Sequence, residues 1–354
     1  MKLITKYLLL KYLKYFFIIL ISLEIFFIGI DFLQNVSKLP QSANLQLLYL
    51  IYNGFFILTI TLPLSIVFAW VITLTFLIKE NTLVSFYSLG VSKHQILLPI
   101  ILISIILTSI LIALQTTSLA YSYEQKRKIL KNQFFINEKS NIFLKYNDNF
   151  IYFDKLYPLE KKAVGIKIFK VKNKQLIQTI LAKKAYYQNN KWYVIDAKII
   201  TKPEKIDWDS SKLNITYEKF LYTLEGFKPE VINNVYKAKV QYSISDAIYT
   251  ILLFEKQNLN TDKIRAILYS KIFTPFFVIP LIIFIFVFSK PSGRFFKMGQ
   301  FVSFGILSTL GIWGVLFFLQ KISTSSLINP EVGLILPLMV AFIISMVLYK
   351  KQIV

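Results

Sequence analysis

Long apolar runs separated by short polar segments occupy both ends of the chain. Each run carries few charges and is about 20 residues or longer, the length of a helix that crosses a bilayer. Residues 1–14, which contain four lysines, are expected to form an amphipathic helix on the cytoplasmic surface. The pattern predicts six spans, at Tyr15–Leu33, Leu47–Ile78, Ile96–Ala120, Ile272–Ser289, Phe301–Leu319 and Val332–Tyr349.

Prolines and glycines modify several of these runs. Pro63 divides the second run, and Pro275 and Pro280 interrupt the fourth, so kinked or broken helices are expected there. Pro99 is expected in the first turn of the third span, where proline is tolerated. The fifth run carries small residues that permit close helix contact, at Gly305, Gly311 and Gly314.

The pattern changes to a period of two in the middle of the chain. Residues 121–133 are predicted to extend the third span as a helix, and residues 241–264 are predicted to lead back as a helix. Between them, short alternating runs separated by asparagine-rich turns predict an antiparallel sandwich or open roll. The clearest strands are a hairpin over Ile142–Phe153 that turns at 147–149, Gly165–Lys172, and Lys191–Ile195 after the Asn189-Asn190 turn.

The arrangement predicts an α-helical polytopic membrane protein with six transmembrane helices and an inserted all-β domain. The boundaries are 1–120 for the first three spans, 121–265 for the β domain with its helical flanks, and 266–354 for the last three spans. If both termini are cytoplasmic, the inner segments hold eleven Lys and Arg residues, whereas the short outer loops hold two. This bias favours cytoplasmic termini and a periplasmic β domain.

Composition removes several classes of function. Of the 354 residues, 55% are hydrophobic and 17% are charged, which is typical of a membrane protein. The chain has no cysteine and one histidine, His94, so thiolate catalysis and most metal sites are excluded. It also lacks a GxxxxGK[ST] phosphate loop, an HExxH motif and a GxSxG motif. We therefore expect no catalytic residue, no bound metal and, despite a net charge of +22, no nucleic-acid partner.

Residues 79–94, between the second and third runs, form the most distinctive short segment. Glu80 stands at its start, and Gly90 is expected to end a short helix. A compact amphipathic helix parallel to the membrane, led by one acid, suits contact with a cytoplasmic motor. An ordinary connector between two spans would show the same local pattern. The apolar residues of the predicted helix are Leu83, Val84, Phe86, Tyr87 and Leu89.

Ionisable side chains in the spans form a second group of candidates. Glu24 lies about 15 Å along the helix from Lys14, where a charge costs on the order of 3 kcal/mol. A protonated Glu24, or one paired with another subunit, would be equally consistent with this position. Asp31 falls at the outer end of the first span. Lys271 can extend its amine to the outer interface, where it would serve as an anchor.

Several local motifs give the architecture a family resemblance. Lys79-Glu80, followed by Leu83, Val84 and Ser88-Leu89-Gly90-Val91-Ser92, resembles the coupling segment of the lipopolysaccharide-export permease family, LptF/LptG. Residues 147–152 resemble the strand pair that opens this family's β-jellyroll, which implies a β-jellyroll-like fold for the inserted domain. Arg294–Gly299 with Gly305, and Asn329-Pro330 with Pro337, resemble the beginnings of its fifth and sixth spans. The resemblance covers essentially the whole chain.

The resemblance implies a permease subunit of an ABC-type exporter in the bacterial inner membrane. Such a subunit extracts lipopolysaccharide and passes it to a periplasmic β-jellyroll bridge, while a separate LptB-type ATPase dimer binds and hydrolyses ATP. It implies a paralogous LptF-type permease and an LptC-type periplasmic protein as partners, no cofactor for this chain, and docking of Glu80 in the ATPase. The strand pair that opens the β domain and Asp31 are more similar to LptG. A mechanotransmitting ABC membrane subunit or an envelope scaffold that carries no lipid remains the alternative.

One departure from the family concerns the lipid phosphates. The family often places lysines near the outer end of the first span, but here only Lys38 lies nearby. Basic residues above the third span can supply this charge through charge-assisted hydrogen bonds, or they can serve only as a membrane anchor. The candidate lipid-contacting residues are Glu24, Asp31, Lys38, Lys126, Arg127, Lys128 and Lys271.

Overall fold

The computed structural model describes residues 2–131, 139–146, 149–157, 160–172, 175–203, 213–227, 241–255, 260–289 and 296–352. The chain divides into two compact units. The first comprises residues 1–131, 241–251 and 260–354, and its described elements are helical. The second comprises residues 132–240 and 252–259 and contains a β-sheet.

Ten α-helices are present in the described residues. They are α1 (Lys2–Asn35), α2 (Ala43–Lys79), α3 (Thr82–Ser88), α4 (Lys93–Gln115), α5 (Ser122–Leu130), α6 (Ile244–Glu255), α7 (Asp262–Ile272), α8 (Val278–Val287), α9 (Met298–Thr324) and α10 (Leu336–Gln352). Short 3-10 turns occur at Val36–Lys38, Ser118–Tyr121 and Thr274–Phe277, and a π-helical turn at Glu331–Ile335 precedes α10.

The predicted membrane architecture is confirmed. In the described part of the chain, α1, α2, α4, α9, and α10 together with its π-helical turn are each long and apolar enough to cross a bilayer. A sixth span is obtained when α7 and the helical segment Thr274–Val287, which meet at a bend of 44°, are counted together. The protein is therefore a multi-pass helical membrane protein with five or six candidate spans.

The ends of several helices differ from the sequence-based expectations. α1 continues from the lysine-rich residues into the first span without interruption, and α2 runs unbroken through Pro63. α4 begins at Lys93, which places Pro99 in its second turn rather than its first. The fourth span begins earlier than predicted, within α7, and its break lies at Phe273. Pro280 lies inside α8.

The helix predicted over 121–133 is present, but it does not continue the third span as expected. α4 ends at Gln115, and α5 is a separate helix that begins at Ser122. The hydroxyl groups of Thr116 and Thr117 donate to the carbonyl oxygens of Ala113 and Leu114, both at 2.7 Å. The break itself lies at Thr117, whose backbone is extended (φ −89°, ψ 178°) and whose hydroxyl oxygen accepts from the N–H of Leu119 at 3.3 Å, as an N-cap does for the following turn.

The helical core is built around α2. Trp70 is fully buried and donates through Nε1 to the carbonyl oxygen of Ile282 in α8, at 3.1 Å. α2 also packs closely against α9, where a Cβ added to Gly305 would lie 2.7 Å from a methyl group of Val71. The glycine therefore permits this close approach, whereas Gly311 and Gly314 have no neighbouring atom within 4 Å of an added Cβ.

The second unit contains a six-stranded antiparallel sheet in which every strand pairs with the next. The strands are β1 (Lys139–Tyr146), β2 (Asn149–Tyr157), β3 (Lys162–Lys172), β4 (Gln175–Gln188), β5 (Lys191–Thr201) and β6 (Asn214–Thr223). The inserted all-β domain is thus confirmed. Asn189 and Asn190 both have positive φ and form the predicted turn between β4 and β5. The central residues of the predicted 147–149 turn lie outside the described residues.

The alternation of buried side chains shifts by one residue along a line that crosses the sheet. The line contains Gly165 with φ +64° and Asp196 with φ +53°, and Asp154 lies opposite Gly165. Because of these positive φ angles, the buried side chains of a strand fall on odd-numbered positions on one side of the line and on even-numbered positions on the other. Consecutive buried side chains are consequently three residues apart, at Phe153 and Leu156, Ala163 and Ile166, and Val194 and Ala197.

Candidate functional site

The coupling segment, residues 79–94, contains a short helix with defined ends. Glu80 follows the last residue of α2, and Asn81, in the left-handed conformation with φ 57°, redirects the chain into α3. After α3, the N–H groups of Gly90 and Val91 donate to the carbonyl oxygens of Tyr87 and Phe86, both at 3.0 Å. This pattern is a Schellman termination, and Gly90 supplies the required positive φ of 78°. The short helix therefore covers 82–88, while residue 79 belongs to α2 and residues 93 and 94 to α4.

α3 separates an inward face from an outward face. Leu83 and Phe86 are buried in the helical core, so they anchor α3 to this chain. Val84 is exposed, and Leu89, just beyond the helix, is 73% exposed. Tyr87 is half-buried, and burial raises the pKa of its phenol. The helical period distinguishes these two faces, although the apolar residues of the segment, Leu89 included, were expected to act as one set.

A lysine on α1 contacts the acid that leads the segment. The Nζ atom of Lys11 lies 2.5 Å from Oε2 of Glu80, with the side chains 13% and 47% exposed, respectively. Lys11 also donates to the hydroxyl of Tyr7 at 3.2 Å and lies 6.0 Å from the ring centre of Phe76. Lys11 was not among the site residues expected from the sequence. The available signal was that a short loop joins α1 to α2, so the N-terminal end of α1, with Lys11, and the C-terminal end of α2, before Glu80, lie on the same side.

A second cluster connects α1, α2 and α5. The Nζ atom of Lys126 lies 2.5 Å from Oδ2 of Asp31 and 2.8 Å from Oδ1 of Asn53. The hydroxyl of Tyr49 donates to Oδ1 of Asp31, and the amide of Asn35 donates to the Asp31 carbonyl oxygen at 2.8 Å. The side chain of Lys126 is only 7% exposed. The structure therefore brings together two predicted site residues, Asp31 and Lys126, as an ion pair.

The other basic candidates lie in different environments. Lys38 is exposed in the turn after α1, and Arg127 is half-buried on α5. Lys128 lies 3.9 Å from the carboxylate of Glu124, and burial lowers the pKa of its amine. The Nζ atom of Lys271, in the last turn of α7, lies 2.9 Å from Oε1 of Gln115. These residues do not form one basic surface with Lys126.

Glu24 is accommodated by a neighbouring helix. Its carboxyl group is half-buried and accepts a hydrogen bond from the hydroxyl of Thr61 on α2. Thr61 is itself fully buried. A polar side chain of this chain therefore faces Glu24, and α1 and α2 are linked at the depth where the sequence placed an isolated acid.

Two further polar contacts connect distant parts of the helical unit. Nδ1 of His94, at the start of α4, is hydrogen-bonded to the hydroxyl of Tyr349 near the end of α10. The hydroxyl of Tyr121 donates to Asp246 on α6. Burial and this carboxylate raise the pKa of Tyr121 to about 12. Both contacts join segments that lie more than a hundred residues apart.

Comparison with known proteins identifies the family. The family model for the lipopolysaccharide export system permease LptF/LptG matches residues 6–351. No curated protein matches the chain significantly. In the described residues, no group of three or more His, Cys, Asp or Glu side chains is arranged to hold a metal ion. The multi-pass helices, the inserted antiparallel sheet and the match over nearly the whole chain agree. The chain belongs to the LptF/LptG family of lipopolysaccharide export permeases, which are non-catalytic transmembrane subunits of an ABC transporter.

Proposed function

We propose that residues 79–94 couple this permease to a separate LptB-type ATPase dimer. The observation that carries the proposal is the division of α3 into an anchored face and an outward face. Because Leu83 and Phe86 are held in the helical core, a force applied to α3 is transmitted to α2 and its neighbours. The exposed Val84 and Leu89 provide an apolar contact surface beside the carboxylate of Glu80.

Glu80 retains capacity for a second cation. Lys11 contacts Oε2, and the described residues include no hydrogen bond to Oε1. A carboxylate can accept several hydrogen bonds, so an arginine or lysine of the ATPase can bind the free oxygen while Lys11 stays in place. The partner surface that fits is an apolar groove with a cation at its edge. ATP binds to that partner, and this chain needs no cofactor.

We place the protein in the bacterial inner membrane with both termini in the cytoplasm and the β domain in the periplasm. The excess of Lys and Arg in the short loops on one side supports this orientation. It puts α3 on the cytoplasmic side, where an ATPase has access to it. It also puts Asp31 and Lys126 near the periplasmic end of α1.

Within the exporter, the chain extracts lipopolysaccharide and transfers it to a periplasmic β-jellyroll bridge. We propose a paralogous LptF-type permease as its membrane partner and an LptC-type protein as its periplasmic partner, with this chain in the LptG position. The exposed apolar sides of α1 and α9 provide surface for a second membrane subunit or for lipid, including Phe17, Ile25, Leu307 and Phe318. Asp31 and the strand pair that opens the β domain support the LptG position.

Among the candidate lipid-contacting residues, burial separates two roles. Lys126 is paired with Asp31 and nearly inaccessible, so both residues support the helices around the lipid path. Lys38 is exposed, and Arg127 is partly exposed, so these cations remain available to lipid phosphates. Lys271 and Lys128 are the remaining cationic candidates. Glu24, whose carboxyl group accepts from Thr61 of α2, is the candidate within the membrane.

Copurification of the complex tests the coupling role. The permease is expressed with its paralogous subunit and the ATPase, as wild type, as Glu80→Ala, and as Glu218→Ala. The last variant removes an exposed carboxylate from β6 as a matched control. We expect Glu80→Ala to lower recovery of the ATPase about tenfold or more, because a charge-assisted hydrogen bond contributes about 1.5–3 kcal/mol. The membrane subunits should remain paired.

Two results would reject the coupling role. One is normal recovery of the ATPase with Glu80→Ala together with unchanged lipopolysaccharide-stimulated ATP hydrolysis. The other is an equal loss with Glu218→Ala, since that loss would reflect general instability. Lipopolysaccharide retained by the purified wild-type complex would separately support export over a purely mechanical or scaffolding role.

A further inference from the structure

The inner end of α1 is fastened directly to the coupling segment. We propose that Lys11 is a positioning residue that makes α1 move with Glu80, so that α1 carries the movement of the coupling segment across the membrane. This inference rests on the coupling role proposed above for residues 79–94.

Aromatic contacts surround the Lys11–Glu80 ion pair. The Tyr7 ring meets Phe86 of α3 edge-on at 6.3 Å, and the Tyr15 ring stacks on Phe76 of α2 at 5.3 Å. Lys11 lies between these contacts, 5.6 Å from the centre of the Tyr7 ring. The pair is therefore held by rings on three helices and shielded on the lysine side, which limits how far Glu80 can move without α1.

α1 is well suited to transmit such a movement. It is one continuous helix of 34 residues without proline, and at 1.5 Å per residue it is about 50 Å long. Lys11 and Asp31 are separated by about 30 Å along the axis, which is the thickness of the hydrocarbon core. The two ion pairs of α1 therefore lie at opposite faces of the bilayer.

The outer end of α1 is fastened as firmly as the inner end. Asp31 is bound to Lys126 on α5 and to Tyr49 on α2. Next to Lys11, the buried hydroxyl of Tyr12 donates to the carbonyl oxygen of Ile66 at 3.1 Å, and between the two ion pairs Glu24 accepts from the hydroxyl of Thr61. A displacement at Glu80 is thus passed along α1 to α5, the last described helix before β1 in the sequence. This path connects ATP hydrolysis with the outer leaflet.

The ion pair should contribute little to the free energy of unfolding, so its role in coupling can be tested separately from folding. Glu80 is half-exposed, and pairs of this kind contribute little to stability. Loss of Lys11 should therefore leave the helical unit folded while it loosens the link between α1 and α3. The effect should appear in the amount of lipid moved for each ATP hydrolysed.

The test uses the complete exporter in proteoliposomes that contain lipopolysaccharide. Lipopolysaccharide released per ATP hydrolysed is measured for wild type, Lys11→Met, Lys11→Arg and Lys14→Met. Lys14 is an exposed lysine on the same helix and serves as the matched control. We expect Lys11→Met to lower the ratio about threefold, in line with a half-exposed pair. Lys11→Arg and Lys14→Met should stay near wild type.

A spectroscopic measurement covers the case in which Lys11→Met assembles poorly. The chain contains no cysteine, so spin labels can be placed at Lys14→Cys on α1 and Ser88→Cys on α3 without other substitutions. With Lys11 present, the distance between the labels should stay constant through the ATP cycle. With Lys11→Met, the distribution should change with nucleotide, measured in the small fraction that assembles.

The outcomes separate this inference from the proposed function. If Lys11→Met matches Lys14→Met in the release assay and leaves the distance between the labels as constant as it is with Lys11 present, Lys11 has no positioning role. The same conclusion follows if Lys11→Arg is damaged as much as Lys11→Met. If Glu80→Ala still binds the ATPase normally, the coupling role itself fails, whatever the Lys11 variants do. A lower ratio with Lys11→Met, normal ATPase recovery and rescue by arginine would establish the role of Lys11.

Discussion

The ion pair between Asp31 and Lys126 predicts an asymmetric response to mutation. Lys126 is nearly inaccessible, whereas Asp31 is 27% exposed. Asp31 also keeps the Tyr49 hydroxyl and the Asn35 amide as donors when Lys126 is removed. Removing the carboxylate should therefore destabilise the helical unit more than removing the amine.

The contacts of each partner set the size of the effect. Asp31→Asn leaves the Lys126 charge buried with Asn53 and the rings of Tyr49 and Phe56, whose centres lie 5.7 and 5.6 Å away. An unpaired buried charge costs about 3–5 kcal/mol, and these remaining contacts favour a value of about 3 kcal/mol. Lys126→Met leaves the amide oxygen of Asn53 without its cation, which costs about 1–2 kcal/mol.

The double variant gives the sharpest test. Once Asp31 is asparagine, replacing Lys126 by methionine removes the uncompensated charge, so the second substitution should restore about 1–2 kcal/mol. The assay is equilibrium unfolding of the purified protein in mixed micelles titrated with dodecyl sulfate, without lipopolysaccharide. An Asp31→Asn variant no less stable than Lys126→Met, or a double variant less stable than Asp31→Asn alone, would contradict this prediction.

Three further predictions concern packing, backbone conformation and pH. Gly305→Leu should destabilise the helical unit by about 1–3 kcal/mol through overpacking, with partial rescue by Val71→Ala in the same unfolding assay. Gly165→Ala should cost about 2 kcal/mol, because its φ is positive and an added Cβ would lie 1.9 Å from Asp154, and loss of protease resistance in the β domain would report it. Burial and a neighbouring carboxylate raise the pKa of Tyr121 from 10.0 to about 12. Its neutral form therefore contributes stability that is complete below pH 10 and lost as the pH rises towards 12, so unfolding of Tyr121→Phe should depend less on pH over this interval than unfolding of wild type.

The sequence predicts the spans better than their ends. Apolar runs of bilayer length have few alternative structures, so the membrane segments are identified by length alone. Helix ends depend on single residues, as the break after Gln115 shows, where the backbone of Thr117 is extended and its hydroxyl caps the following turn. At Pro63 a break was expected and none is present, because the surrounding core keeps α2 helical despite the missing N–H group.

The candidate site shows the same division between local and distant information. Gly90 was identified because the end of a helix needs a residue with positive φ next to the last turn. Lys11 was not identified, since its partner Glu80 lies 69 residues away and only the packing of α1 on α2 brings them together. The helical period could have predicted which residues of α3 share a face. Which of the faces is buried, however, depends on what the helix packs against.

The sheet adds a case in which a strict pattern is misleading. Alternation was read over 165–172, but only Ile166 and Ile168 are buried there, and Lys170 is exposed beside a register shift between β3 and β4. The alternation also does not continue through Gly165 into the preceding residues of β3. The positive φ angles that shift the pattern fall on glycine, asparagine and aspartate, the residue types that adopt this conformation most easily. When alternation breaks at such a residue, the sequence should therefore be taken to predict one continuous strand and not the end of a strand.

The basic residues above the third span show why charge alone does not identify a lipid contact. Lys126 and Arg127 are adjacent in sequence and equally charged, but their helical positions differ by about 100° around α5. One consequently points into the cluster with Asp31 and Asn53, while the other remains partly exposed. A lipid phosphate that bound Lys126 would have to displace Asp31 and release α1 from α5. Substrate binding at this position would therefore change the link between the first span and α5, whereas binding at Arg127 or Lys38 would leave it intact.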